Sequence, residues 1–427
     1  MIPEGWKLTT VGEHIDLLGG FAFKSSLYSE SEGSIKLLRG DNIEPGALRW
    51  RGVKKWDSEA CKGLERYLLK EGDFVVSMDR TWISSGLKVA EVKKEDLPCL
   101  LVQRVSRVRS KSTLEQGLLR QLFSGKRFER YVKSVQTETA VPHISSSQIK
   151  EFPILLPPLS EQKVIAQILS TWDEAVTASE RLIEASQQQR HALMQQLLTG
   201  KRRLPGFAVH AGWRHEKYGD VPNDWGFVEI GSFSRQSSEK NRETEELPVL
   251  SCSKYDGFVD SLSYFNKRVY SEDLSGYKVI RRGDIGFPSN HVEEGSIGLQ
   301  NLYDRGLVSP IYVVFRPDEE RVDPEFLFRL LKTDHYRQVF AASTNASVDR
   351  RGSLRWKEFS AIKVPLPSLD EQKAIVLALK TADAEIQAQQ QRLDCLRQEK
   401  KALMQQLLTG KRRVKVEATA LTEEAAC

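Results

Sequence analysis

The chain has 427 residues, of which 40% are hydrophobic and 28% are charged, a composition typical of a folded protein with two or three domains. It has no run of about 18 apolar residues, no basic-then-apolar N-terminus and no C-x-x-C pair among its five cysteines. These features argue against membrane-spanning, secreted disulfide-rich and zinc-cluster proteins, and we expect a cytoplasmic location. The net charge of +5 permits a nucleic-acid partner without requiring one.

An internal repeat organises the whole chain. Residues 159–203 and 369–413 align without a gap at an offset of 210, with 22 identities in 45 positions, and the last twelve positions are identical. Weaker similarities precede each copy, including a Pro-x-x-Trp motif that opens each half. Because such a repeat decides the architecture, we predict two similar halves, each a globular domain followed by the same element.

The two globular parts are predicted to be mixed α/β domains. The first has strand-like runs at 34–38 and 74–76 and a helical stretch over 114–132; the second has a strand-like run at 311–315 and a helical stretch over 324–339. In chain order we predict a first domain over 1–155, a first long helix over 156–204, a second domain over 205–365, a second long helix over 366–413 and a disordered tail over 414–427.

The repeated element is predicted to be a long helix. Neither copy contains Gly or Pro before Gly200 and Gly410, which suit the position just past a helix end. Apolar residues recur at alternating spacings of four and three, as in a heptad seam, with interruptions that include Arg190 and Lys400. Each helix alone would expose a long apolar stripe. We therefore predict that the two helices pack antiparallel as a coiled coil, with the two domains at opposite ends.

The motifs of common enzymes are missing from the sequence. We find no G-x-x-x-x-G-K-[ST] loop, no H-E-x-x-H pair, no G-x-S-x-G elbow and no Gly-rich dinucleotide loop. The seven histidines are scattered, and none is spaced as a pair of metal ligands. The sequence therefore predicts a protein that is not an enzyme and holds no metal.

Polar clusters follow strand-like runs at comparable places in both domains. Arg, Asn, Gln, Lys and Ser are the residue types that read base edges or contact phosphates. Each cluster taken singly is better explained as a solvated turn, but their recurrence in two related domains favours DNA. The candidate DNA-binding residues are Arg39, Asn42, Arg80, Thr81, Ser145, Ser146, Gln148, Lys254, Lys267, Ser289, Asn290, His291, Asn345, Arg350 and Arg351.

Four duplicated motifs carry a resemblance to a known family. They are Pro-x-x-Trp at 3–6 and 222–225, a Gly-Asp turn at 69–73 and 280–284, Pro-x-Leu-x-Glu-Gln-Lys at 157–163 and 367–373, and Leu-Leu-Thr-Gly-Lys at 197–201 and 407–411. With these motifs in two copies, the chain resembles the specificity subunit of type I restriction–modification systems over essentially its whole length.

The resemblance implies an α/β fold with two target recognition domains joined by two long antiparallel helices that form a coiled coil with a pseudo-two-fold repeat. Each domain would read one half of a bipartite double-stranded DNA target. The helices would set the half-site spacing and dock two methyltransferase subunits, to which restriction–translocase subunits attach. No cofactor is expected in the chain itself, because S-adenosylmethionine, ATP and magnesium belong to those partners.

Two other functions remain open at this point. One is a coiled-coil adaptor that binds proteins and does not touch DNA. The other is a recognition module of a modification or defence system that lacks a restriction subunit.

Overall fold

The computed structural model describes residues 2–31, 33–137, 140–207, 212–242, 246–290, 292–344 and 353–416. The chain divides into two compact units. Unit 1 is Met1–Arg181 together with Gln391–Cys427, and unit 2 is Leu182–Gln390. Each unit thus combines one α/β domain with part of both long helices, so the compact units do not follow the simple order of domain and helix along the chain.

The first half of the chain forms an α/β domain and the first long helix. Its elements are β1 (Lys7–Thr10), β2 (Ile15–Gly19), β3 (Ile35–Leu38), β4 (Ile43–Glu44), β5 (Ala47–Leu48), β6 (Lys55–Trp56), β7 (Phe74–Ser77), β8 (Trp82–Ile83), β9 (Gly86–Leu87), β10 (Val89–Glu91), β11 (Cys99–Leu101), β12 (Val105–Ser110), α1 (Gln116–Ser124), α2 (Lys126–Val135), α3 (Ser146–Lys150), β13 (Pro153–Leu156) and α4 (Leu159–Leu198).

The second half repeats this plan. Its elements are β14 (Trp213–Glu216), β15 (Gly219–Pro222), β16 (Gly226–Glu229), β17 (Ser234–Ser237), β18 (Leu250–Ser253), β19 (Gly257–Asp260), α5 (Ser261–Phe265), β20 (Lys278–Arg281), β21 (Ile285–Pro288), β22 (Gly298–Leu299), β23 (Arg305–Val308), β24 (Tyr312–Pro317), α6 (Pro324–Leu331), α7 (Asp334–Ser343), α8 (Trp356–Ser360), β25 (Lys363–Leu366) and α9 (Leu369–Leu407).

The central sheets of the two domains have the same topology. In unit 1 the antiparallel strand order is β10-β7-β12-β2, and in unit 2 it is β22-β21-β24-β17. In each domain a strand near the start of the domain pairs antiparallel with the strand that directly precedes the long helix. These pairs are β1 with β13 and β16 with β25. The repeat seen in the helices therefore extends through both domains, and the predicted mixed α/β domains are confirmed.

Each helical stretch predicted before the long helices is two helices rather than one. Gly125 has an extended backbone, with φ −85° and ψ 155°, which ends α1 and starts α2. In unit 2, the Thr333 hydroxyl accepts the Tyr336 N–H at 3.4 Å and caps α7. Each break turns the second helix so that it buries its own aromatic side chain, Phe128 or Phe340.

The long helices are confirmed, and in unit 1 their contacts show that they run antiparallel. Arg413, just past the end of α9, is hydrogen bonded to Glu161 at the start of α4. Lys400, earlier in α9, is paired with Asp173, later in α4. Because one sequence number falls as the other rises, the helices point in opposite directions.

The charged residues that interrupt the heptad seam form ion pairs between the long helices. Lys400 pairs with Asp173 in unit 1, and Arg190 Nε lies 2.8 Å from Asp383 Oδ1 in unit 2. Asp383 also accepts a 2.8 Å contact from Arg329 of α6. These carboxylates link the two long helices to the domain of their unit. The charged residues that interrupt the heptad pattern therefore form specific ion pairs.

The core of each unit is shared between the domain and the long helices. Ile165 and Leu169 of α4 are buried in one cluster with Leu118 of α1. Ile375 and Leu379 of α9 occupy the matching places in the cluster of unit 2. Full burial of one such side chain contributes about 1.5–3 kcal/mol, so the start of each long helix is an integral part of its domain.

Candidate nucleic-acid interface

The repeated motifs meet at one joint in each unit, where one long helix begins beside the end of the other. In unit 1, the buried Glu161 carboxylate accepts the Trp6 indole N–H at 3.3 Å and the Arg413 Nε–H at 2.9 Å. Gly410 has φ +67°, and a Cβ there would lie 2.3 Å from Pro3. Glycine is therefore required at this position, both by backbone conformation and by space.

The joint of unit 2 has the same atoms and one further carboxylate. Glu371 accepts the Trp225 indole N–H at 3.1 Å and two bonds from Arg203 at 2.5 and 2.8 Å. Arg203 also donates to Asp224 at 2.8 and 2.9 Å, and these bonds lower the pKa of the Asp224 carboxyl. The Arg203 side chain is only 13% exposed, whereas that of Arg413 is 42% exposed. The two joints therefore differ in how completely the arginine is enclosed.

The Gln of each Glu-Gln-Lys motif fixes the helix start to the domain. Gln162 Oε1 accepts the Glu115 N–H at 2.8 Å, and its Nε2 donates to two backbone carbonyls. Gln372 makes the same three bonds, beginning with the Asp323 N–H at 2.8 Å. Both glutamines are buried. Three satisfied bonds on a buried amide specify one orientation of the helix relative to its domain.

Two of the predicted DNA-binding residues of unit 1 lie together in a polar hollow, which we call the Arg80 hollow. Arg39 and Arg80 line it, and its volume is about 330 Å³. Lys88 and Arg104 add two further cations to the same wall. Asp41 and Asp79 line the same hollow. The four cations outnumber these two carboxylates, and the excess positive charge suits a phosphate or a base edge.

The backbone of the Arg80 hollow is strained at two arginines. Arg80 has φ +47° and Arg104 has φ +69°, a region that residues other than glycine seldom adopt. The Arg80 N–H donates to the Pro142 carbonyl at 2.7 Å, and the Arg104 carbonyl accepts the Met78 N–H at 2.8 Å. Such conformations cost about 1–3 kcal/mol each and concentrate at functional sites. Here both present a cation to the same hollow.

Two predicted loops meet at Asp79 beside this hollow. His143 Nδ1 lies 2.6 Å from one Asp79 oxygen, and Arg104 Nε lies 3.9 Å from the other. Burial lowers the pKa of Lys88, and the nearby Arg80 cation acts in the same direction. An anion bound in the hollow would favour the protonated Lys88 and offset this effect.

Sequence reasoning missed Lys88, Gln103 and Arg104 of the hollow. Gln103 and Arg104 form the turn between the buried strand β11 and β12. A polar pair directly after a buried strand was the available signal, and it is the same signal that pointed to Arg80 after β7. Lys88 lies between two short strands and had no such signal.

Five other predicted residues of unit 1 shape the loops around the hollow. Asn42 is buried, with its amide bonded to the backbone, and the Thr81 hydroxyl donates to a carbonyl at 2.6 Å. Ser145 and Gln148 cap α3 reciprocally, at 3.2 and 2.8 Å, and Ser146 is the first residue of that helix. These bonds support the surface of the domain, and contact of these residues with DNA stays a prediction.

In unit 2, Ser289 and Asn290 follow β21 as Met78 and Asp79 follow β7. The Ser289 carbonyl accepts the Leu354 N–H at 2.8 Å, and a matching 2.9 Å bond holds Met78. The side-chain oxygen of Asn290 is buried and has no hydrogen-bond partner in the described part of the chain. An unpaired acceptor at the end of a central strand is suited to a donor from a ligand.

By this correspondence the counterpart of Arg80 is position 291 rather than Asn290. His291 lies outside the described residues, as do the other predicted positions on the last loop of the second domain. These are Asn345, Arg350 and Arg351.

Lys254 and Lys267 are exposed. Within the described residues, no hydrogen bond, ion pair or ring contact joins either lysine to Ser289 or Asn290. Lys254 Nζ lies 5.7 Å from the ring of Tyr255, which is 81% exposed. Aromatic side chains around Lys254 were not predicted, although an exposed ring beside a cation is a common nucleic-acid contact.

Neither a metal site nor a membrane span is found in the parts of the chain that the structure describes. No group of three His, Cys, Asp or Glu side chains is arranged to hold a metal ion. No helix in those ranges combines the length and the apolar character needed to cross a membrane.

Comparison with known proteins identifies the family. The family model of the type I restriction modification DNA specificity domain matches twice, at residues 3–186 and 222–398. The chain is 26% identical over 433 residues to the type I restriction enzyme MjaVIII specificity subunit of Methanocaldococcus jannaschii, which covers 97% of this chain and 94% of that protein. It is 34% identical over 185 residues to the Escherichia coli EcoAI specificity subunit, covering 42% of this chain and 30% of that protein.

Solved structures share the fold. A chain from work on complex assembly and conformational transition of the type I R-M system superposes with a TM-score of 0.56 at 18% identity, covering 96% of this chain and all of that chain. The S subunit of a type I restriction–modification system from M. genitalium superposes with a TM-score of 0.53 at 16% identity, covering 95% and 96%. With the duplicated joints and the two matches of the family model, the chain belongs to the family of type I restriction–modification specificity subunits.

Proposed function

We propose that this chain reads a bipartite double-stranded DNA target, with one half-site bound by each α/β domain. In the first domain the readers are Arg39, Arg80 and Arg104 of the Arg80 hollow. In the second domain they are the residues at the end of β21, including Asn290. The proposed division into two target recognition domains, two spacer helices and a tail follows the predicted boundaries.

The observation that carries this proposal is that both units contain the same joint, whereas the polar residues that we propose to read DNA differ between them. The Trp–Glu–Arg contacts are matched between the units, which makes the frame of each domain the same. The polar residues after β7 and β21 differ: Asp79 and Arg80 in one unit correspond to Asn290 and position 291 in the other. Two domains with the same joint and different polar residues after the central strand suit a protein that recognises two unrelated half-sites.

The duplicated helix surfaces support a second part of the proposal. The segments 159–203 and 369–413 are identical at 22 of 45 positions, including the last twelve, and they can present these shared side chains to two copies of one partner. We propose that this partner is the methyltransferase subunit, with restriction–translocase subunits attached to it. The chain itself then contributes recognition and scaffolding, and the catalysis and its cofactors belong to the partners.

The experiment is to reconstitute the chain with its cognate methyltransferase subunit and map the methylated motifs by single-molecule sequencing. We expect one motif with two specified parts separated by a gap of unspecified bases. Arg80→Ala should relax one part only, and Arg51→Ala, an exposed arginine outside the hollow, should leave the motif unchanged. Methylation by the chain alone would contradict its assignment as non-catalytic.

A salt titration distinguishes the adaptor hypothesis. A DNA reader that neutralises phosphates loses affinity steeply as the salt concentration rises. If the complex binds DNA with an affinity that depends on neither salt nor sequence, the chain is a protein-interaction adaptor instead.

A further inference from the structure

The hairpin β18–β19 of unit 2 has an exposed aromatic side chain at its tip. The two strands pair antiparallel from Leu250 and Asp260 to Ser253 and Gly257, so residues 254–256 form the turn between them. Tyr255 lies in this turn and is 81% exposed. Its ring can therefore contact a partner without any change in the fold.

The short helix α5 extends this apolar surface. Its side chains Leu262, Tyr264 and Phe265 are all exposed. The rings of Tyr264 and Phe265 meet edge to face, with 5.1 Å between their centroids. The Tyr264 hydroxyl donates to the Asp256 carboxylate at 3.3 Å, which joins the helix to the turn of the hairpin. A group of exposed apolar side chains of this kind marks an interaction site.

Hydrogen bonds within the hairpin hold the turn in one conformation. The Ser253 hydroxyl donates to Asp256 at 3.0 Å and accepts the Tyr255 N–H at 3.2 Å. Because Asp256 also accepts the Tyr264 hydroxyl, its carboxylate is engaged inside the hairpin. A turn that is already ordered loses little conformational freedom when its exposed ring binds a partner.

The topology of unit 1 shows which turn corresponds to this one. In unit 1, β3 pairs parallel with β11, the strand before β12. In unit 2, Val249 at the start of β18 forms a parallel bridge with Leu307 of β23, the strand before β24. Because β12 and β24 have the same place in the two central sheets, β18 is the counterpart of β3. The turn after β3, residues 39–41, lines the Arg80 hollow.

Contacts within unit 2 agree with this correspondence. The Cys252 N–H donates to the Tyr312 hydroxyl at 2.9 Å. Tyr312 is paired across the sheet with Pro288, the last residue of the strand that leads to the proposed readers. On the other strand of the hairpin, a Cβ at Gly257 would lie 3.8 Å from the Cα of Gly298 in β22, which pairs with β21. The hairpin therefore lies beside β21 and its end.

The two corresponding turns differ in their chemistry. The turn of unit 1 contributes Arg39 to a hollow with three further cations, whereas the turn of unit 2 has one lysine beside Tyr255. The domains differ in the same direction: residues 1–158 contain 25 basic and 20 acidic side chains, and residues 213–367 contain 22 and 24. Arginine suits the guanine edge, and apolar side chains suit the thymine methyl group. The two domains are thus suited to different base pairs.

We propose that hairpin β18–β19 enters the major groove beside the base pairs read at the end of β21, and that the Tyr255 ring contacts the C5-methyl group of a thymine in the second half-site. The proposal rests on the proposed function and adds a specificity-determining residue to it. A two-stranded ribbon fits the major groove, which is about 12 Å wide, and the thymine methyl is the apolar group on a base edge there. Lys254, whose ammonium group lies near this ring, supplies a cation for the adjacent phosphates.

The test maps the methylated motif of the complex with the cognate methyltransferase subunit. In Tyr255→Ala, we expect one thymine position of the second half-site to lose its specification, while the first half-site stays unchanged. Tyr255→Phe should keep the whole motif, because the ring rather than the hydroxyl makes the contact. The matched control is Trp213→Ala, which removes an exposed ring from the other hairpin of unit 2, β14–β15. This control should also keep the motif.

DNA with deoxyuridine in place of that thymine identifies the atom that is contacted. The replacement removes only the methyl group, and burying one such group contributes a factor of about four in affinity. The parent complex should therefore bind the deoxyuridine DNA about fourfold more weakly than the thymine DNA. The Tyr255→Ala complex, which has already lost the contact, should bind both DNAs equally.

Three results would each overturn the inference: a motif that Tyr255→Ala leaves intact, a second half-site without a specified thymine, or an equal effect of deoxyuridine on the parent and on Tyr255→Ala. If Tyr255→Ala keeps the motif but assembles poorly with the methyltransferase subunit, the tip is a protein-docking surface and the inference is also wrong. A parent motif without two parts contradicts the proposed function itself. A bipartite motif that does not depend on Tyr255 contradicts this inference alone.

Discussion

The two joints make a matched pair for measuring what an enclosed arginine contributes. Arg203→Met in unit 2 and Arg413→Met in unit 1 remove the same guanidinium at the same position of the repeat. Glu371 is 3% exposed and loses two of its three donors in the first variant, keeping only the Trp225 N–H. Removing one partner of a buried ion pair costs about 3–5 kcal/mol. Glu161 is also buried, but the Arg413 side chain beside it is 42% exposed. Water can therefore reach the place of the missing guanidinium more easily in unit 1, and we expect a smaller loss.

Amide hydrogen exchange followed by mass spectrometry measures the effect at each joint. A loss of about 3–5 kcal/mol from the opening free energy raises the exchange rate about a hundred- to several-thousand-fold. This acceleration should appear in peptides that cover 196–204 and 368–375 in Arg203→Met. In Arg413→Met, peptides that cover 159–166 and 406–413 should change less. Local exchange is the appropriate measurement because a chain of two units need not unfold in one step.

A double variant tests whether the cost comes from the buried charge. Glu371→Gln keeps an acceptor for Trp225 but carries no charge, so Arg203→Met combined with Glu371→Gln should exchange more slowly than Arg203→Met alone. Gln162→Ala and Gln372→Ala serve as controls, since both glutamines make the same three bonds. Equal acceleration by Arg203→Met and Arg413→Met, with no recovery in the double variant, would refute the assignment of this difference to burial.

Further predictions concern the reading surfaces and pH. Arg80→Ala should weaken binding to one half-site by about 1–3 kcal/mol and Asn290→Ala the other, measured with DNA altered in one half at a time; equal weakening of both halves would make these residues structural. Lys88→Met should leave the motif unchanged but reduce the slope of log affinity against log salt concentration by about 1. The pKa of Asp224 is lowered by its bonds from Arg203. The stability that ionised Asp224 contributes to the fold is therefore complete above about pH 4, and it is lost as the pH falls through the lower pKa of the folded state. Amide exchange at 196–204 should accelerate in that low pH range, after correction for the intrinsic pH dependence of exchange.

The architecture could be predicted from the sequence because the repeat contains both the long helices and the residues that fix their ends to the domains. The predicted helix ends at Gly200 and Gly410 agree with helices ending at Leu198 and Leu407. The heptad pattern also predicted that the two helices pack on each other, and the domain that lies between them in the sequence favoured the antiparallel orientation. What the pattern could not show is that Lys400, an apparent interruption, has a partner 227 positions away.

The Arg80 hollow was harder to predict than the architecture, because it is formed by unusual backbone conformations and by loops that are distant in sequence. Arg80 was visible as a polar residue after a buried strand, but the positive φ of Arg104 has no signature in a residue of that type. Asn42 and Thr81 have the composition of DNA contacts, yet their polar groups bond the backbone of their own loops. Residue type alone does not distinguish a side chain that reads a ligand from one that holds a turn.

The residues of each joint are separate from the residues that we propose to read DNA. Trp6, Glu161 and Arg413 bond to one another and not to the loops after β7, and the same separation holds in unit 2. A substitution at Arg80 or Asn290 therefore leaves every contact of the joint in place, and its effect is confined to one domain. If each domain reads one half-site independently, as we propose, the effects of Arg80→Ala and Asn290→Ala on binding should add. Measured coupling between Arg80→Ala and Asn290→Ala above about 0.5 kcal/mol would show that the two readers are not independent.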